Sequence, residues 1–193
     1  MKKVVHIALA LLSLCSSISS LVANDSEPIL HYQVLFSPRD QLAEKLISLI
    51  EKENTSIKVA IYNLMHRGIA NALINAHKRG VEVVVVVDPY SVKSRSPLKK
   101  MQEAGISLYV WNPPSIVSET KAGRKIKKRP PLMHDKFCIL GKSLVWTGSF
   151  NFTYQATTEN RENALILEGS EVAARYMEEF ENLKQGGCLL EKF

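Results

Sequence analysis

Ser56-Ile57-Lys58-Val59-Ala60-Ile61-Tyr62-Asn63-Leu64 is followed by Ile69, Ala72, Leu73 and Ala76 at helical spacing, by Gly80, and by the near-continuous apolar run Val81 to Val87. The first segment is rich in β-branched residues and reads as a strand, and the 3.6-residue recurrence ending at a glycine reads as a helix and its stop. A run as apolar as Val81 to Val87 must be covered on both faces. Strand, helix and doubly buried strand in that order make a right-handed βαβ crossover, which predicts parallel strands between helix layers.

Outward from this unit, His31 to Phe36 alternates as a strand does, and Ser37-Pro38-Arg39-Asp40 reads as a capped helix start. Leu42, Leu46, Ile47 and Ile50 continue that helix to about Glu53. A short helix around Pro97 to Ala104 leads to a strand from Ile106 to Trp111, and Asn112 to Pro131 is a long, basic, Pro-bounded surface loop. A strand from Asn163 to Leu167 precedes a final helix from Ser170 to Lys184, with Val172, Tyr176, Phe180 and Leu183 facing inward. No internal repeat is visible. The predicted class is α/β, a mixed and largely parallel sheet between helix layers, with one antiparallel hairpin.

That hairpin is Leu132-Met133-His134-Asp135-Lys136-Phe137-Cys138-Ile139-Leu140-Gly141-Lys142, returning through Thr147-Gly148-Ser149-Phe150-Asn151. Gly141-Lys142 suits a two-residue type II′ turn, which would pair Leu140 with Ser143, Lys136 with Thr147 and His134 with Ser149. Opposed residues lie about 5 Å apart at Cβ, so His134, Lys136, Thr147, Ser149 and Asn151 would converge on one face. These groups suit phosphodiester chemistry. Imidazole attacks phosphorus, and ammonium, hydroxyl and amide groups stabilise the non-bridging oxygens without a metal. A lone His-x-Lys is more often a solvated strand start.

The longer pattern, His134, Lys136, Gly148, Ser149 and Asn151, resembles the signature of the phospholipase D superfamily, His-x-Lys followed about a dozen residues later by Gly-Ser-x-Asn. His134-Asp135-Lys136-Phe137 and Thr147 to Thr153 are similar to the small secreted bacterial endonucleases of that superfamily. The resemblance runs upstream through Ala60 to Asn63 and Arg79 to Val83 as far as Asp88. It implies a covalent phosphohistidine at His134, with Lys136 and Asn151 binding the non-bridging oxygens and Ser149 assisting. Glu162 stands where those nucleases carry the carboxylate that orients the histidine. Larger relatives carry the motif twice, so a chain with one copy implies a homodimer in which His134 of the partner subunit protonates the leaving oxygen. The motif's Asp five residues after the Lys is Gly141 here, a departure read as structural because that position falls in the turn.

Lys2-Lys3, the apolar stretch Val4 to Leu14 and Leu21-Val22-Ala23 read as a secretory signal peptide over residues 1–23, leaving a single domain at 24–193. Export to the periplasm or the medium is therefore expected. The net charge of +6 is concentrated in Lys121, Arg124, Lys125, Lys127, Lys128 and Arg129, with no acid between them. A run of that kind immediately before the catalytic hairpin suits a phosphate backbone. Cys138 reads as a buried thiol, and export makes a bridge to Cys188 chemically possible. No Cys-x-x-Cys or His-Glu-x-x-His pattern supports a metal site, and no cofactor is implied. His31 and His77 read as surface residues, whereas His66 could lie at a strand's end near a site.

The reading is an exported endonuclease of DNA or RNA. The first alternative is a phospholipase D or phosphatidyltransferase acting on phospholipid, for which Trp111, Pro113, Pro114, Ile116 and Val117 are the apolar candidates at the site mouth. The second is a non-catalytic binder of nucleic acid or anionic membrane that uses the basic loop alone.

Overall fold

Val83, Val85 and Val87 pack into one hydrophobic cluster, and Val84 and Val86 into a second on the opposite face of the same strand. That is the doubly covered strand the sequence calls for. The computed structural model describes residues 31–112 and 130–191, together with the backbone of 117–119 and 125–127. In chain order the elements are β1 (His31–Phe36), α1 (Leu42–Lys52), β2 (Ser56–Ile61), α2 (Arg67–Lys78), β3 (Glu82–Val87), α3 (Leu98–Glu103) and β4 (Ser107–Trp111). They continue with β5 (Val117–Glu119), β6 (Lys125–Lys127), β7 (Lys136–Leu140), β8 (Leu144–Gly148), α4 (Tyr154–Thr158), β9 (Asn163–Glu168), α5 (Ser170–Gln185) and β10 (Gly187–Leu189). The leader expected at 1–23 lies outside the described residues.

Eight strands form one sheet in the order β1-β9-β8-β7-β2-β3-β4-β10, and β5 pairs antiparallel with β6 apart from it. The sheet is mixed, as expected, but its parallel part is only β2-β3-β4; every other pairing is antiparallel. Helices α1, α2 and α3 cover one face through Leu42, Leu46, Ile50, Leu73 and Met101. Helix α5 covers the other through Ala173, Phe180 and Leu183. Burial of these side chains, at about 25 cal/mol per Å² of apolar surface, is what holds the layers together.

Two local expectations are corrected. Helix α1 begins at Leu42, after Gln41 in a left-handed conformation, and not at Ser37. Ser37 is buried, and its hydroxyl donates to the Asn160 carbonyl (2.8 Å) and accepts from the Glu162 N–H (3.1 Å). It caps no helix; it supports a loop of the site. The hairpin turn has three residues, Gly141 to Ser143, so Leu140 opposes Leu144, Cys138 opposes Trp146 and Phe137 opposes Thr147. The one-residue difference follows from packing. Cys138 and Trp146 belong together in the cluster under α1 and α2, and Ile139 and Val145 in the cluster under α5, whereas the two-residue turn would have mixed the faces.

Gly141 adopts φ +61°, and a Cβ there would lie 3.1 Å from Glu53 Oε2. The motif's missing Asp would thus set its carboxylate beside another, at the end of β7 away from His134. Gly141→Asp should destabilise the fold by about 1 to 2 kcal/mol through the left-handed backbone and like-charge contact while leaving turnover per folded molecule intact. Thermal melts and active-site-normalised rates check both halves.

Cys138 is buried and Cys188 exposed, each a free thiol, and they sit on β7 and β10, separated by β2, β3 and β4. No bridge joins them. Burial pushes the Cys138 thiol far above its ordinary range.

Candidate active site

The site forms where the C-terminal ends of β2 and β3 meet the start of β7, the position at which open α/β sheets bind ligands. Just past β2, the Tyr62 N–H donates to the Asp135 carbonyl at 2.9 Å. Just past β3, the carboxylate of Asp88, 2% exposed, accepts from the Tyr90 N–H (2.8 Å) and the Met133 N–H (3.0 Å). The Ser91 hydroxyl closes the frame, donating to the Tyr62 carbonyl (2.9 Å) and accepting from the Leu64 N–H (3.0 Å). Residues 133–135 are therefore held from both sides. His134 itself stands two residues before β7, outside the ladder, and is exposed.

The His134 imidazole lies 4.6 Å from the Tyr62 ring, which stacks on Tyr90 at 5.1 Å. Lys136 is 7% exposed; its Nζ lies 3.1 Å from His134 Nδ1 and also donates to the His134 carbonyl. A charged ammonium only donates, so Nδ1 accepts and the proton of the neutral ring lies on Nε2. Burial pushes the Lys136 ammonium below its ordinary range, and the nearby Asp135 and Glu162 carboxylates partly offset this.

Glu162 does not hydrogen-bond to His134. Its Oε2 accepts from the Ser149 hydroxyl at 2.5 Å and its Oε1 from Asn160 Nδ2 at 2.9 Å. Ser149 has one hydroxyl proton, and it goes to Glu162, while its oxygen accepts from the Asn163 N–H at 3.0 Å. In this arrangement Ser149 holds a carboxylate in place and has no proton left for phosphate. The glycine of the motif has its own reason: at Gly148, with φ +145°, a Cβ would lie 2.3 Å from the Asn163 carbonyl oxygen. Only Gly lets β8 approach β9 closely enough for Ser149 and Glu162 to meet.

Asn151 follows on a segment clamped to the end of β2, where the Phe152 N–H donates to the Asn63 carbonyl (3.1 Å) and the Phe152 carbonyl accepts from Met65 and His66 (both 2.8 Å). Among the described residues, buried Asn151 Oδ1 has no hydrogen-bond partner, nor has Asn63 Oδ1. Thr147 lines the same cleft as His134 and Lys136, on its α5 side, where its hydroxyl accepts from that of Tyr176 at 3.1 Å. His66 is buried as the N-cap of α2, its Nδ1 accepting from the Ile69 N–H at 3.2 Å and its ring 4.2 Å from Tyr154. His77, expected at the surface, is half-buried. In the basic loop, Lys125 and Lys127 fall in β6, whose side chains lie outside the described residues, as do Lys121, Arg124, Lys128 and Arg129 altogether. Asp88 and Tyr62 are given no role in the site by motif reading, although the upstream resemblance reaches both and each stands at the end of a strand.

Burial holds the His66 imidazole below its ordinary value near 6.5, with the Glu44 carboxylate partly opposing. The neutral cap therefore contributes its full stability above the unfolded-state pKa and loses it as pH falls below that value, because the unfolded chain binds the proton more readily. His66→Asn keeps a capping oxygen and removes the titration. Its unfolding free energy should decline less than that of the native protein between pH 7 and pH 5, read by denaturant melts.

Residues 46–184 match the family model described as "Cardiolipin synthase, PLD-like domain". A relative from Rickettsia conorii named phospholipase D is 33% identical over 150 residues, covering 77% of this chain and 67% of the relative. The mitochondrial cardiolipin hydrolase of Xenopus tropicalis is 30% identical over 76% of this chain and 62% of its own length. The crystal structure of Nuc from Salmonella typhimurium, a phospholipase D family member, superposes with a TM-score of 0.69 at 29% identity, over 83% of this chain and 97% of Nuc. The sheet, the exposed imidazole on its buried ammonium and these relatives agree: the chain belongs to the phospholipase D superfamily of phosphodiesterases.

Proposed function

We propose that this protein is an exported, metal-independent endonuclease of DNA or RNA, working as a homodimer through a covalent phosphohistidine at His134. The observation that carries the reading is an exposed imidazole seated on a buried ammonium, beside a cleft where Phe137 and Tyr176 are outnumbered by the charged and polar Asp135, Arg175, Glu178, Glu179 and Asn182. A cleft with this share of charged groups suits a hydrated phosphodiester better than acyl chains. The likeness to Nuc over nearly all of that chain is in keeping with it.

The incoming phosphate draws the Lys136 ammonium from Nδ1 to a non-bridging oxygen; the exposed ring then exchanges its proton through solvent from Nε2 to Nδ1, which leaves Nε2 to attack. The Nε2–P bond forms as the P–O bond to the leaving sugar breaks, and that oxygen takes a proton from the imidazolium of His134 of the partner subunit. Water then attacks phosphorus, gives its proton to the same partner imidazole, and the N–P bond breaks. The need for a second imidazole supports the dimer: among the described residues His66 is committed as a cap, His77 lies in the last turn of α2 at the far end from that cap, and His31 opens edge strand β1. Asn151 contributes its amide to the phosphate, and Glu162, with Ser149, balances the positive charge at Lys136 and His134.

The lipid reading keeps one observation on its side, the relatives named phospholipase D and cardiolipin hydrolase. Labelled DNA, RNA and phospholipid vesicles offered side by side in excess EDTA separate the two. Nucleic-acid cleavage undiminished by EDTA is the expected result; hydrolysis of lipid alone would replace this proposal with the phospholipase.

A further inference from the structure

Away from His134, beyond the N-terminal end of α2, the residues leading into α3 build a second, strongly cationic pocket. Arg67, Arg95, Lys99 and Lys100 line it, opposed by Glu103 alone among its acids. At its wall Ser96 is 8% exposed, and its hydroxyl has no hydrogen-bond partner. Four cations beside one acid make the local potential positive even with Lys100 donating to Asn71 Oδ1 at 3.1 Å, and a buried unpaired hydroxyl is costly on its own account. A phosphate oxygen would satisfy both.

The pocket is joined to the active site by one short run of chain. Tyr62 lies against His134 and stacks on Tyr90; Lys93 Nζ sits 3.3 Å from the centre of the Tyr90 ring; Ser94 to Pro97 then form the pocket wall. From the other side, His66, whose N–H is tied to the segment carrying Asn151, immediately precedes Arg67. We infer that this pocket binds a backbone phosphate of the substrate strand, upstream or downstream of the scissile one, and that Lys93 bridges the two sites. The inference rests on the nucleic-acid reading above and adds to it a fixed exit path for the strand. Because the groups are ammonium, guanidinium and hydroxyl, they recognise the backbone and not the base.

The test compares a single strand of about 20 nucleotides with a dinucleotide, a length long enough to cover a groove of this kind. For the double variant Arg95→Gln/Lys99→Gln, KM for the long strand should rise about tenfold with kcat held, and the salt slope of binding should flatten by about 0.7 for each phosphate no longer neutralised. The dinucleotide, whose single internucleotide phosphate is the scissile one, has none to place in the pocket and should keep its full kcat/KM. Ser96→Ala should raise KM for the long strand about threefold while the melting temperature holds or rises, since the hydroxyl makes no hydrogen bond in the free protein. A merely structural Ser96 would lower stability and leave KM alone. If long strands are cleaved and neither variant moves KM or the salt slope, the pocket inference is overturned and the nuclease reading stands. If the protein cleaves no nucleic acid, both fall; binding of anionic phospholipid vesicles that depends on Arg95 and Lys99 would then assign the pocket to a lipid headgroup.

Discussion

His134→Asn should lower turnover of every phosphodiester substrate at least about a thousandfold, because the proposed mechanism loses its nucleophile. The fold should be indifferent to the change. His134 is exposed and lies outside the β7 ladder, and its side-chain neighbours are the Tyr62 ring and the Lys136 ammonium. Melting curves should agree within about 0.5 kcal/mol, the range of ordinary surface substitutions. Loss of activity with loss of fold would place His134 in the scaffold, and retained activity would remove it from the mechanism.

Lys136→Met separates function from stability in the opposite sense. Lys136 is 7% exposed, and burial depresses its pKa, so the folded protein carries a cation where an apolar side chain of similar length would fit at less cost. The variant should be as stable as the native protein or more so. Its kcat should nonetheless fall by about a hundredfold to a thousandfold, since a thioether cannot neutralise charge developing on the phosphate oxygens. A protein that became less stable and stayed active would show that Lys136 serves the core through its hydrogen bond to the His134 carbonyl.

The βαβ core was legible because its information is local: valines covered on both sides, a helical stripe and a terminating glycine at Gly80, whose φ is +94°. The hairpin register was not, and for a related reason. With residues of both faces buried in β7 and β8, alternation carries no sign of which face is which, and the turn residues alone favoured a loop one residue shorter than the packing allows. Ser37 misled for want of long-range information; its partners are Asn160 and Glu162, more than a hundred residues away. His134 and Lys136 could be read from a three-residue spacing, whereas Asp88 and Tyr62 join them only because β3, β2 and β7 are neighbours in the sheet. The role of Ser149 changed for the same reason, since β9 brings Asn163, and Glu162 just before it, against it.

The proposed covalent bond between His134 and substrate phosphorus can be trapped. The protein is mixed with an oligonucleotide in excess EDTA, quenched in alkali within the first turnover, digested and mapped by mass spectrometry. A nucleotidyl or phosphoryl mass on the peptide carrying His134, stable to base and lost in acid, is the predicted result. Rapid turnover with no adduct, or an adduct on a different residue, would remove His134 as the nucleophile.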